Sequence, residues 1–515
     1  MPQTNKTSHQ TDVKPSGSAT KGRYRRSAID LTQGALGTKL FRLASPLMAG
    51  NVLQTVYNLV DMFWVGRLGA TAVAAVAIVF PTQWLLISVA MGVTIAGAAL
   101  VSQWTGAGDA ARANFSAAQT LTLSVIVSTV LAVAAFLGRF WLLRLLGASG
   151  PLFQPTLDYV SVVFWSVPFT FVFMAYTSTM RGAGETVRPM YVMIGSSLLN
   201  MVLDPLMIFG VGPFPAMGVA GAAWATLISR AVAATIGLWL LFNGREAIAI
   251  HLRQLIPEWA TVRQLLRVGI PGALDGAARS FSAVAMIAIV TRFGPVPTAA
   301  YGIGVRVMSL VWTVSGGMGQ AVATGVGQNL GAELFARTKR VAWIGTSITF
   351  VLLGAAGLVA MLFAPAIIGI FVNDPEVIAM GTHFLRISGW GFGCAGALMV
   401  IQGAFQGAGR TGYAMILSLL NRWVLRFPIA IVAGLLMGMG PAGVWWAFLI
   451  SDVTGFAIGA VWMQFGQWQQ RLVSHNRTRP AAIDQPVSVS GSGIRITSRS
   501  GTNVVDRRDD EYRPA

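Results

Sequence analysis

Arg181-Gly182-Ala183-Gly184-Glu185-Thr186 returns 225 residues later as Gln406-Gly407-Ala408-Gly409-Arg410-Thr411. The same offset joins Pro46 to Pro271, Arg67-Leu68-Gly69 to Arg292-Phe293-Gly294, and Gln103 with Gly106-Ala107 to Gln328 with Gly331-Ala332. Late in each half, Met217-Gly218-Val219-Ala220-Gly221 returns as Met439-Gly440-Pro441-Ala442-Gly443, at an offset of 222. A chain that holds its own half twice inside an apolar sequence has the layout of a carrier whose halves rock about a central site.

Of the 515 residues, 54% are hydrophobic and 11% charged, against about 25% charged in soluble domains. Apolar runs of membrane-spanning length recur along the chain, and they are continuous rather than alternating, which selects helices over a barrel. The expected fold is an all-α integral membrane protein of about twelve transmembrane helices in two six-helix bundles. Spans are expected near 40–66, 71–103, 111–137, 152–180, 187–210 and 217–242, then near 263–293, 297–328, 336–365, 375–405, 411–437 and 440–466. Residues 38–242 and 263–467 are then two lobes joined by a cytoplasmic linker at 243–262. The polar stretches 1–37 and 468–515 read as disordered cytoplasmic tails.

The net charge of +18 raises nucleic acid as a partner. Its basic residues, however, collect in the tails and in alternate loops, such as Arg112, Arg188, Arg253, Arg337, Lys339 and Arg410. That is the pattern of positive-inside topology, with both termini in the cytoplasm of a bacterial-type plasma membrane; anionic lipid is the sharper alternative. The expected partners are the bilayer and small amphipathic molecules, with no nucleic acid, and the chain is expected to be a monomer. A single cysteine, Cys394, excludes an internal disulfide. No Walker A lysine motif or nucleophile elbow is present, so no cofactor and no enzymatic activity are expected. A membrane-embedded prenyltransferase would need a paired aspartate-rich metal motif that this sequence lacks.

Charges inside spans are costly and mark function. Gln54, Asn58 and Asp61 lie on one helical face of the first span, and Asn200 and Asp204 share a face of the fifth. Two acids, each with an amide beside it, can form one hydrogen-bonded cluster that responds to protonation. The alternative is that each acid caps a helix near the outer interface, with Pro205 breaking the fifth span. The second lobe has Met286 where the first has Asp61, and keeps only Asn421 as a counterpart of Asn200. It carries Asp275, Arg279, Arg426 and Asp452 instead. Asp275 and Arg279, spaced i, i+4, either pair with one another or contribute to a second site with Asn421 and Arg426. Pro46 and Pro271 kink their spans, as fixed bends or as moving ones.

In order and spacing, Pro46, Val60-Asp61, Val65-Gly66-Arg67-Leu68-Gly69, Arg181-Gly182-Ala183-Gly184, Leu199-Asn200 with Leu203-Asp204-Pro205, and Gly218-Val219-Ala220-Gly221 with Thr226 resemble the multidrug and toxic compound extrusion (MATE) family. The Asn200–Asp204 pair looks most like the branch named after a DNA-damage-inducible membrane protein. The resemblance covers about 38–467 and implies two six-helix bundles around a V-shaped cavity. It also implies efflux of cationic amphipathic drugs in exchange for H⁺ or Na⁺. It assigns the coupling cluster to Gln54, Asp61, Asn200, Asp204, Thr226 and Tyr159, with Na⁺ as a candidate ligand of Asp61, Asn200 and Asp204, and it makes Pro46 the point at which the first helix bends. Thr177 stands where the family often has Asn. A lipid-linked oligosaccharide flippase of the same superfamily is the runner-up, favoured by a cationic cavity at Arg279, Arg306 and Arg426.

Overall fold

The structure is a computed structural model, and it describes residues 28–244 and 246–473. Among these, twelve long helical segments follow the repeat. The first lobe is α1 (Leu36–Gly66), α2 (Ala70–Gly106), α3 (Ala110–Leu137), α4 (Phe153–Gly182), α5 (Val187–Phe209) and α6 (Val219–Phe242). The second is α7 (Trp259–Val290), α8 (Pro295–Gly331), α9 (Phe335–Leu362), α10 (Pro375–Gly407), α11 (Thr411–Leu436) and α12 (Pro441–Phe465). Short helices Arg139–Leu145 and Ala364–Gly369 occupy equivalent connections in the two lobes. Ten of these segments are long and apolar enough to cross a membrane. The two outside that set are α1, with Asn51, Gln54, Asn58 and Asp61, and α8, with Arg306, Gln320, Gln328 and Asn329. At 37 residues each, α2 and α8 are about 55 Å long, well beyond a hydrocarbon core of about 30 Å.

The lobes exchange helix roots. Leu36, Leu40 and Leu43 at the start of α1 are buried among Met318, Val322 and Val341 of the second lobe, whereas Val65 at its far end packs with Val76 and Ile208 of the first. The mirror holds for α7: Val262, Leu265 and Val268 pack with Val93, Ala96 and Leu100 of α2, and Met286, Ile289 and Val290 pack within the second lobe. Pro46 and Pro271 sit in the interiors of these two helices, between the two kinds of packing. The lobes therefore cannot be cut cleanly at 38–242 and 263–467.

At the face where the described chain begins and ends, the lobes meet through the repeated Gln-x-x-Gly motif. A Cβ on Gly106 would collide with the backbone of Gln328, and one on Gly331 with the backbone of Gln103, so only glycine allows this crossing of α2 and α8. Each glutamine also holds a chain end. Gln328 Oε1 accepts from Leu31 N (3.0 Å), and Gln103 Oε1 accepts from Leu472 N (2.8 Å). Ile29 N donates to Gly184 O (2.9 Å), and Arg337 Nε and Asn329 Nδ2 donate to Leu31 O. Gly184 has φ +89 and its repeat partner Gly409 φ +72, which a side chain would strain.

Residues 28–35 and 468–473, expected within disordered tails, are thus packed: Leu31 and Trp468 are fully buried. Isolated apolar anchors in polar stretches do not register in average composition. The rest of the expected tails, 1–27 and 474–515, lies outside the described residues. The segment before α7 is also fixed. Gln119 of α3 donates to Gln254 O and Ile256 O (2.7 Å each) and accepts from Glu258 N (2.9 Å), while buried Glu246 pairs with Arg188.

Candidate functional site

The first-lobe site forms where the far-face halves of α1, α5 and α6 meet α4. Asp61 and Asp204 each stand five residues before the end of their helix, at Gly66 and Phe209. The fifth helix runs through Pro205 to Phe209, so that proline does not end it. Asn200 and Asp204, one turn apart, are both buried. In the orientation that satisfies both ends of its amide, Asn200 Nδ2 donates to Asp204 Oδ2 (3.0 Å) and Oδ1 accepts from Thr226 N (3.1 Å). The reverse orientation would set its oxygen against the carboxylate. The Thr226 hydroxyl meets Tyr57 Oη at 3.2 Å. Asp61 is half-buried, and its Oδ1 is enclosed with no hydrogen-bond partner among the described residues. The charge of Asp61 acts on Asp204, and both acids act on Tyr57 and Tyr159, which groups the four in one electrostatic neighbourhood.

The remaining expected members ring this core. Gln54 Nε2 donates to Asn58 Oδ1 (3.1 Å) along the α1 face, and Asn58 is exposed. Buried Tyr159 accepts from Gln83 Nε2 at 3.5 Å. Sequence reasoning did not single out Tyr57, Gln83 or Arg230. Arg230 Nη2 reaches Gln54 Oε1 (3.5 Å), and its guanidinium lies 5.8 Å from the Tyr57 ring centroid. A charge inside a span was the available signal for Arg230. A narrow cavity runs between Tyr57, Asn200, Thr226 and Arg230.

In the second lobe the two aspartates inside spans are each paired with an arginine. Arg279 donates through Nε (3.1 Å) and Nη2 (2.7 Å) to Asp275 Oδ2, and Nη2 also reaches Gln402 Oε1 (2.8 Å). The ion pair expected from this i, i+4 spacing forms. Arg426 binds Asp452 Oδ1 (2.5 Å) and the Ser451 hydroxyl (2.9 Å), with Asn421 Nδ2 donating to Ser451 O (2.7 Å) and to Asp452 Oδ1 (3.2 Å). Two of the three arginines that favoured a flippase are therefore neutralised. Among the described residues, no cluster of three or more His, Cys, Asp or Glu could hold a metal ion.

A family model described as MatE matches residues 46–206 and 271–432, one stretch in each lobe. The chain is 29% identical over 435 residues to the probable multidrug resistance protein YoeA of Bacillus subtilis, covering 83% of this chain and 93% of that one. It is 27% identical to the probable multidrug resistance protein NorM of Thermotoga maritima, covering 84% and 94%. Among solved structures, the outward-facing conformation of a multidrug resistance MATE transporter of the MOP superfamily superposes with a TM-score of 0.79 at 26% identity, over 85% of this chain and 97% of that one.

Proposed function

The chain belongs to the MatE family of multidrug efflux transporters, and on that premise we propose that it exports cationic amphipathic compounds in exchange for protons entering through Asp61 and Asp204. The observation that carries this reading is that Asp61 and Asp204, two acids inside spans of the first lobe, have no ion-pair partner among the described residues, which leaves both free to take up and release a proton.

In this cycle a proton on Asp204 removes the charge that Asn200 satisfies. The cluster then rearranges, α1 bends at Pro46, and the drug is displaced outward. The packing of α1 supports that hinge: its root is fixed in the second lobe and its far end in the first. The closed crossing of α2 and α8 at the chain ends supports an outward-facing state, with that face cytoplasmic. A gradient of one pH unit adds about 1.4 kcal/mol per proton moved inward, whereas a membrane potential acts only on net charge, which is zero when one proton exchanges for one monovalent cation. The cluster is complete within one chain, which supports a monomer as the working unit. Its Asn200–Asp204 pair supports the DNA-damage-inducible branch.

The test is dye transport in proteoliposomes under separately imposed proton and sodium gradients. A proton gradient alone is expected to drive accumulation, and a sodium gradient at equal pH is not. Asp204→Asn is expected to abolish the driven component while leaving dye exchange without a gradient. Sodium-driven accumulation at equal pH would overturn the proton assignment.

A further inference from the structure

The second-lobe charges do not balance. Asp275 is taken by Arg279 and Asp452 by Arg426. The side chain of Arg422, on the same helix as Arg426, has no ion pair or hydrogen bond among the described residues. The next residue, Trp423, donates through Nε1 to Ala278 O (3.3 Å), which sets this turn of α11 against α7 one residue from Arg279. The Arg422 side chain is half-buried, and Arg279 beside it keeps a quarter of its side chain exposed with Nη1 unbonded.

The backbone there is also unusual. Residues Leu420–Arg426 form a π-helical segment in which Phe427 N donates five residues back to Arg422 O. Such turns are rare and recur at functional sites. Pro428, which has no N–H to give to the preceding turn, lies just beyond it. A guanidinium at membrane depth with no carboxylate is costly and marks function. Such a group offers planar, permanently charged donors suited to carboxylate or phosphate.

We infer that Arg422, with Arg279 beside it, is a recognition point for one oxyanion, the carboxylate or phosphate of a zwitterionic amphiphile. This rests on the efflux reading and extends it. A substrate's cation answers to the acids of the first lobe, and its anion to the unpaired arginine of the second. The same oxyanion chemistry could be supplied by a lipid headgroup.

The test uses the full chain, purified in detergent, and a matched pair of probes: a rhodamine with a free carboxylate and the same dye as its ethyl ester. Fluorescence polarisation is expected to show about tenfold tighter binding of the acid, the scale of one charge-assisted hydrogen bond. Arg422→Gln is expected to erase that preference and leave ester affinity unchanged, while Arg422→Lys keeps part of it. An acid-to-ester ratio that is the same in wild type and Arg422→Gln overturns the inference. Should Arg422→Gln fail to fold, the wild type decides by competition. Dodecyl phosphate is expected to displace the acid dye where dodecyl maltoside does not, and failure to displace it overturns the inference. Repeating the binding in vesicles separates the sources. A ratio kept in both phosphatidylcholine and phosphatidylglycerol assigns the oxyanion to the substrate, and a ratio lost only in phosphatidylglycerol assigns it to lipid. Ester transport in wild-type vesicles is read separately, so its failure would sink the efflux reading without touching the binding ratio.

Discussion

The two lobes repeat one backbone with their buried charges reversed. Ile228-Ser229-Arg230 of α6 corresponds to Ile450-Ser451-Asp452 of α12 at the offset of 222 that relates these helices. The fifth helix of the first lobe carries Asp204, and the fifth helix of the second carries Arg426 one residue past the matching position. In the second lobe the opposite charges meet at 2.5 Å. In the first they do not: Asp204 is bonded to Asn200, and Arg230 reaches Gln54 and Tyr57. A neutralised pair holds a lobe together, whereas separated charges remain available to a moving proton. The same inventory of residue types therefore yields a strut in one lobe and a candidate coupling site in the other.

The sharpest way to break this contrast is to remove one acid from each lobe. Asp452→Asn leaves Arg426 buried without its partner, which costs about 3–5 kcal/mol. Its unfolding midpoint, followed by tryptophan fluorescence in detergent, is expected to fall steeply, and the double variant Arg426→Gln/Asp452→Asn to recover most of the loss. Asp204→Asn keeps the shape of its side chain and breaks no ion pair, so its midpoint should stay near wild type. Equal destabilisation by the two single variants would erase the distinction between strut and coupling site.

Transport should show the reverse order. With one proton exchanged for one monovalent cationic dye, no net charge moves, and a gradient of one pH unit supports up to about tenfold accumulation. Asp204→Asn and Asp61→Asn are expected to lose that accumulation. In the second lobe, Asp275→Asn is expected to keep the ion dependence even where it lowers the amount of folded protein. Normalising dye uptake to folded protein separates the two effects.

Much of this was legible before the structure. A 225-residue offset, together with continuous apolar runs, is enough for two six-helix lobes, because a buried helix in lipid has few alternatives. The acids were legible because charge in a span is rare. Arg230 and Arg422 obey the same rule and were overlooked, Arg422 although the amide Asn421 stands next to it. Their surroundings were not legible. Asn200 turning its N–H to Asp204, or Arg422 lacking a carboxylate, depends on helices far apart in sequence. The packed residues 28–35 and 468–473 were hidden for a related reason: their partners, Gln328 and Gln103, are about 300 or more residues away.

Pro46 and Pro271 sharpen the comparison at a smaller scale. Both helices cross between lobes at these prolines, yet α1 carries Asp61 whereas α7 carries the locked Asp275–Arg279 pair. Pro46→Ala restores a helix hydrogen bond and removes a steric clash. A bias of about 1–2 kcal/mol toward a straight α1 would slow proton-driven efflux by a factor of roughly 5–30. Pro271→Ala is expected to change the rate much less. Equal losses from the two would mean that both struts flex in the cycle and that charge placement does not decide which one is the hinge.

The smallest effect is expected where the repeat has not diverged. Gln103 and Gln328 do the same work for opposite chain ends, one holding Leu472 and the other Leu31. Each alanine variant removes a net contribution of about 0.5–1.5 kcal/mol per hydrogen bond. Hydrogen–deuterium exchange is the natural measurement, because the amide released is itself the reporter. Gln328→Ala should speed exchange at Leu31, and Gln103→Ala at Leu472, by similar factors of roughly 2–10. Both should also open the chain-end face more readily, since each glutamine lies in the α2–α8 crossing that closes it. If either variant loosens both chain ends together, the two straps form one cooperative latch, and the symmetry of the repeat is kept at this face because the latch opens as a unit. If each loosens only its own end, the symmetry reflects packing alone.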